Sequence, residues 1–148
     1  MSIATYEHES AHALIAHICG FEILEVWAED SGGECVDAGP ACLFAQGLDH
    51  RQVGIREALV SVAPAALGHE LSKGDMHCFA RALWLAQLPQ RDGLVKRTLI
   101  EFARELLTKP TNRVAIAALT DALRRRKYLS GAEVAELIED TIRRGFII

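Results

Sequence analysis

The hydrophobic and polar positions divide the chain into one short alternating stretch and a longer series of helical ones. The first segment, up to Gly20, holds no Pro or Gly, and Ala4, Ala11, Ala13, Leu14, Ile15, Ala16 and Ile18 suit a helix with a largely apolar surface. Gly20 is placed to end that helix as the residue after its C-cap. FEILEVWAED then alternates: Ile23, Leu24, Val26 and Trp27 lie among Glu22, Glu25 and Glu29, which predicts a strand. Ser31 to Gly33 is a turn signal, and ECVDAGPACLFA is expected to return as a second strand.

From Asp49 onward the pattern is helical throughout, so this hairpin is the only β region expected. LDHRQVGIREALVSVAPAALGHEL predicts a long helix that Pro64 should kink or break. A second runs from about Gly74 to Ala86 with Asp75 in its first turn. DGLVKRTLIEFARELLTK gives a third, with Asp92 as N-cap and Pro110 beyond its end. TNRVAIAALTDALRRRKY follows, with Thr111 as the expected cap. SGAEVAELIEDTIRRG closes the series, opened by a Ser130/Glu133 capping box and ended by Gly145. The predicted fold class is therefore mainly α, with a small β-sheet or hairpin near the N-terminus.

Composition narrows the class. A chain of 148 residues, half of them hydrophobic and 24% charged, can bury one real core, so a single domain over 1–148 is expected. No apolar run is long enough to span a bilayer. The first Lys or Arg is Arg51, so the basic start of a signal peptide is missing, and a cytoplasmic protein is expected. Cys19, Cys35, Cys42 and Cys78 form no C-x-x-C pair, which predicts free thiols and no cysteine metal site. Residues 1–50 hold nine of the 20 acids and none of the 16 Lys and Arg. That acidic half favours cations and basic peptide segments. The basic run Arg124 to Lys127 has no interleaved aromatics and reads as a helix end, so no nucleic-acid partner is expected.

Candidate chemistry sits in the first helix. HESAH places His8 and His12 at i and i+4, one above the other on a single face, where two imidazoles can point at one ion. Glu9 lies beside the pair, within reach of a water but off the ligand positions, as a general base must. A catalytic zinc takes three protein ligands. Ile15 and Ile18 occupy the positions where the metzincin extension needs Gly and His, so that source is excluded. Glu57 and Glu70 are candidates by analogy with a downstream glutamate ligand, and the segment from His69 to Ala86 offers His69, Glu70, Asp75 and His77.

YEHESAHALIAHICG resembles the motif helix of the FtsH-type zinc peptidase domain, which reads close to HEAGHALVA. KGDMHCFARALWLA resembles the later helix that supplies that family's third ligand, an aspartate at the helix start. LLTKPTNRVAIAALTDALRRRKYLSGAEVAELI resembles the family's closing helices. The likeness runs in order from about Thr5 to about Ile138. It implies a helical zinc-peptidase domain in which His8, His12 and Asp75 hold a zinc ion and Glu9 is the catalytic base. The chain starts at the peptidase helix, holds no G-x-x-x-x-G-K-[ST] pattern, and has APAALGHEL where the family has a GRAAEEL-like stretch. The expectation is a stand-alone, ATP-independent peptidase acting on flexible polypeptides, with a homo-oligomer left open. Two alternatives are a module of the same fold, weak or inactive, that binds a partner protein, and a zinc hydrolase of non-peptide amides.

Overall fold

The computed structural model describes residues 3–91 and 93–145. In chain order it contains α1 (Ala4–Ile18), β1 (Ile23–Glu29), β2 (Gly32–Asp37), α2 (Ala41–Ala45), α3 (His50–Ala66), α4 (Lys73–Leu85), α5 (Gly93–Leu107), α6 (Pro110–Arg126), β3 (Tyr128–Ser130) and α7 (Gly131–Gly145). The fold is mainly helical with a small antiparallel sheet, in the strand order β2-β1-β3.

Helix α1 is the centre of the packing. It lies against α3 and α6 on one side and against β1 and β2 on the other. Its middle is covered by these elements, and Ala11, Ala13, Leu14, Ile15 and Ala16 are all buried. The helix ends as its glycine predicts: Gly20 has φ +90, the Gly20 amide donates to the His17 carbonyl, and the Phe21 amide donates to the Ala16 carbonyl. These two bonds form a Schellman close, and the reversal feeds the chain into β1.

In β1, Ile23, Val26 and Ala28 face the core. The odd spacing between Ile23 and Val26 has a local cause. The register with β2 shifts between Ile23 and Glu25, and such a bulge turns the strand over by one residue. β2 stops at Asp37, short of the expected strand. The chain then turns at Gly39 (φ +80), and residues expected to stay extended form the short helix α2 instead. A second departure is β3, which sits in a stretch expected to be all helical. It pairs with β1 from Trp27↔Tyr128 to Glu25↔Ser130 and buries Leu129 opposite Val26. Lys127, at φ 66, ends α6 and turns the backbone into that strand.

Helix α3 starts at an Asp49 capping box and ends two residues after Pro64. The residues between Leu67 and Leu71, expected to continue the helix, form the link to α4. Helix α6 starts at Pro110 in the first helical position after Lys109, so Thr111 lies inside the first turn and is not the cap. The Ser130/Glu133 capping box opens α7 as expected, with both bonds at 3.2 Å. Asp92, the expected N-cap of α5, lies outside the described residues. Trp84 is 71% exposed, and Cys78 is exposed as well. No described helix is long and apolar enough to cross a membrane.

A second apolar cluster of Ala58, Val62, Phe79, Ala82 and Leu83 joins α3 to α4. The two helices meet so closely at Gly54 that a Cβ there would stand 2.5 Å from the Ala86 amide nitrogen. That contact sets how closely the C-terminal end of α4 approaches α3.

Candidate metal centre

His8, Glu9 and His12 project from α1 into a cleft of about 680 Å³ that Asp75 also lines. The two imidazole rings are 5.0 Å apart at an interplanar angle of 70°. Asp75 arrives from α4 and faces both rings. Its Oδ2 is 3.0 Å from His8 Nε2, and its Oδ1 is 3.0 Å from His12 Nε2. Three residues from two helices, 67 positions apart at the widest, thus place ligand atoms within 4.8 Å of one another. This group could hold a metal ion. Tetrahedral ligands at about 2.0–2.2 Å from an ion lie about 3.3 Å from each other. Each imidazole faces a different oxygen of Asp75 at 3.0 Å, near that edge length, and two histidines with one carboxylate are a donor set that suits such an ion.

The start of α4 explains how Asp75 is held. Ser72 is the N-cap. The Asp75 amide donates to Ser72 Oγ at 2.9 Å, and the Ser72 amide donates to Asp75 Oδ2 at 3.0 Å. Asp75 therefore fulfils the capping role expected of an acid in a first turn and presents its oxygens to the histidines as well.

His12 is fixed from behind. Its Nδ1 lies 2.7 Å from the Val60 carbonyl oxygen of α3. A carbonyl only accepts, so Nδ1 carries the hydrogen and Nε2 is the nitrogen left for an ion.

Burial and charge act on the same groups. Burial pushes the Glu9 carboxyl up, and the neighbouring His12 and His8 only partly counter it. For His12, burial favours the neutral ring, but the hydrogen bond and charge of Asp75 outweigh it and raise its pKa. Burial would raise Asp75, yet its hydrogen bonds with His12 and His8 hold it well below the ordinary carboxylate range. Cys35, also in the cleft, is pushed up by burial and by the Glu9 charge, which leaves it a thiol and a poor ligand.

The other candidates separate clearly. His77 is exposed on α4, and no cleft contact involves it. Glu57 and Glu70 line the cleft but stand outside the ligand group. His69 also lines the cleft, and its Nε2 donates to Glu7 Oε1 at 2.6 Å. Sequence reasoning missed the Glu7–His69 pair, the Val60 carbonyl and the anchor around Tyr6. Tyr6, buried, donates to Asp30 at 2.8 Å and accepts from Lys127 Nζ at 2.5 Å, which pins the first turn of α1 to the β1–β2 turn and to the end of α6. Only the Val60 carbonyl had a sequence signal, the proline four residues after it. No protein-family model matches the chain, and no curated protein matches it.

Proposed function

We propose that the chain is a zinc-dependent, ATP-independent peptidase of the FtsH type, acting on flexible or unfolded polypeptides. The observation that carries this reading is the convergence of Asp75 on the His8/His12 face, with an aspartate oxygen 3.0 Å from each imidazole Nε2. Two histidines and one carboxylate suit zinc and leave a fourth position open. A bound zinc would supply Lewis acidity at the scissile carbonyl and lower the pKa of water beside it.

The chain's own residues divide the remaining work. Glu9 takes a proton from the attacking water as the oxygen bonds to the carbonyl carbon. It returns that proton to the amide nitrogen as the C–N bond breaks. Burial raises the Glu9 carboxyl, which suits a group that must both accept and release a proton. β2 is an edge strand of the sheet, and Gly33 and Cys35 line the cleft, so an extended peptide can be laid beside it by strand addition.

Glu9→Gln tests the reading. The variant should keep its zinc and lose roughly 10²–10⁴ in rate on an unfolded substrate such as casein. Unchanged hydrolysis in Glu9→Gln would remove the mechanism. A second reading has one observation in its favour: Asp75 bridges the two histidines directly, which can clasp α1 to α4 without an ion. In that case the domain is a binding module, and the purified wild type holds no zinc and cuts nothing.

A further inference from the structure

We propose that Pro64 is a positioning residue for His12: by lacking an amide hydrogen, it leaves the Val60 carbonyl free to hold the imidazole. In an α-helix the carbonyl of each residue accepts from the amide four positions later. For Val60 in α3 that partner would be residue 64, and a proline there has no N–H to give. The Val60 carbonyl accepts from His12 Nδ1 at 2.7 Å, across the interface between α3 and α1.

The consequence reaches the metal ligand atom. A donor at Nδ1 leaves Nε2 as the nitrogen that can give up its hydrogen to an ion, and fixes the ring plane as well. Nε2 is the atom that faces Asp75 at 3.0 Å. Proline is unfavourable inside a helix, yet Pro64 is buried in the last turn of α3, where the helix is about to end at Ala66. Its placement costs little helix and frees one carbonyl at the position His12 needs.

The inference rests on the metal-centre reading for its functional meaning, and the test separates the two. Pro64→Ala and Pro64→Ser both restore an amide hydrogen that competes for the Val60 oxygen. Either change should leave the melting temperature of the metal-free protein unchanged or higher, because the helix gains a hydrogen bond and loses a poor helix former. Zinc affinity, measured by competition with a chromophoric chelator, should fall about 10-fold or more, the usual cost of losing a partner behind a ligating histidine. In ¹⁵N-edited spectra of the metal-free wild type, His12 should show a protonated Nδ1 in slow exchange, and both variants should lose that protection. Wild-type zinc affinity together with retained Nδ1–H protection in both variants overturns the inference. If no form binds zinc, the metal reading fails, and the Nδ1–H signal still decides whether Pro64 holds His12: its loss in the variants upholds the inference and its retention overturns it.

Discussion

Glu9 and Gly33 share one space. A Cβ built on Gly33 would stand 2.8 Å from Glu9 Cγ, 2.6 Å from the Trp27 carbonyl oxygen and 3.0 Å from the Ala28 Cα. The glycine opposite Ala28 in the β1–β2 ladder thus lets the candidate base tuck beneath the sheet. Gly33→Ala must move either the strand backbone or Glu9. We expect about 1–3 kcal/mol of lost stability, typical of overpacking. A larger loss in hydrolysis than in zinc content is expected alongside it. Urea denaturation, metal analysis and a casein assay on the same preparation measure the three together. Wild-type behaviour in all of them would mean that Glu9 does not depend on this approach.

Gly54 tests the placement of Asp75. The atoms that its Cβ would meet are the Ala86 amide nitrogen at 2.5 Å and the Ala82 carbonyl oxygen at 2.7 Å, both backbone and unable to swing aside. Gly54→Ala should push α4 away from α3, lower stability by about 1–3 kcal/mol and weaken zinc binding, although residue 54 is no ligand. A Gly54→Ala protein with native stability and native zinc affinity would show that the α3–α4 contact does not set the position of Asp75.

Acidity should act oppositely on the metal-free and zinc-loaded protein. The folded His12 titrates above its ordinary 6.5, so its contribution is full below that pH and is lost as pH rises through the folded value. Glu9, raised above its ordinary 4.5 by burial, adds to the loss with rising pH. Asp75 titrates below its ordinary 3.8, so its contribution holds above that pH and disappears only as pH falls through the folded value. Metal-free protein should therefore lose stability as pH rises above about 6.5. Zinc competes with protons for the imidazoles, so its stabilisation grows over the same range. Melting curves with zinc and with a chelator should diverge as pH rises above about 6.5; parallel curves would argue against histidine ligation.

The cleft is lined by Glu34, Asp37, Glu57 and Glu70, with Arg81 as its basic side chain. That balance favours peptides carrying Lys or Arg, and the preference should fade as salt rises. The chain holds no G-x-x-x-x-G-K-[ST] pattern. Unfolding a stable domain opposes about 5–15 kcal/mol, so cleavage should be confined to extended chains. A stable domain and a destabilised variant of it, digested in parallel with and without ATP, should differ sharply in rate and show no ATP effect. Equal cleavage of both, or stimulation by ATP, would contradict the proposal.

What could be read from the sequence depended on how local each signal was. The α1 helix, its Gly20 stop and the i, i+4 histidines are set by residues within one or two turns, and all three are present as expected. β3 was not legible because three residues are too few for an alternating pattern, and its pairing with β1 spans some hundred positions. The stretch after Asp37 has a strand-like composition, but Gly39 and Pro40 turn it into α2. Asp75 was legible only as one of several acids and histidines near a helix start, or through resemblance. Its selection is tertiary: α4 packs beside α3, and the Ser72 cap holds this carboxylate, and not His77 two residues later, against the histidine pair. The Glu7–His69 pair is likewise a product of packing, with no spacing that announces it.

The most direct measurement is zinc stoichiometry and affinity across a ligand series, by metal analysis after dialysis and by titration of the metal-free protein. Wild type should bind one zinc per chain. His12→Ala and Asp75→Ala should lose it, because two remaining ligands make a poor site. His69→Ala and His77→Ala should keep it, since one pairs with Glu7 and the other is exposed. Full zinc in Asp75→Ala, with loss in His69→Ala or in a Glu70→Ala control, would contradict the account at its centre.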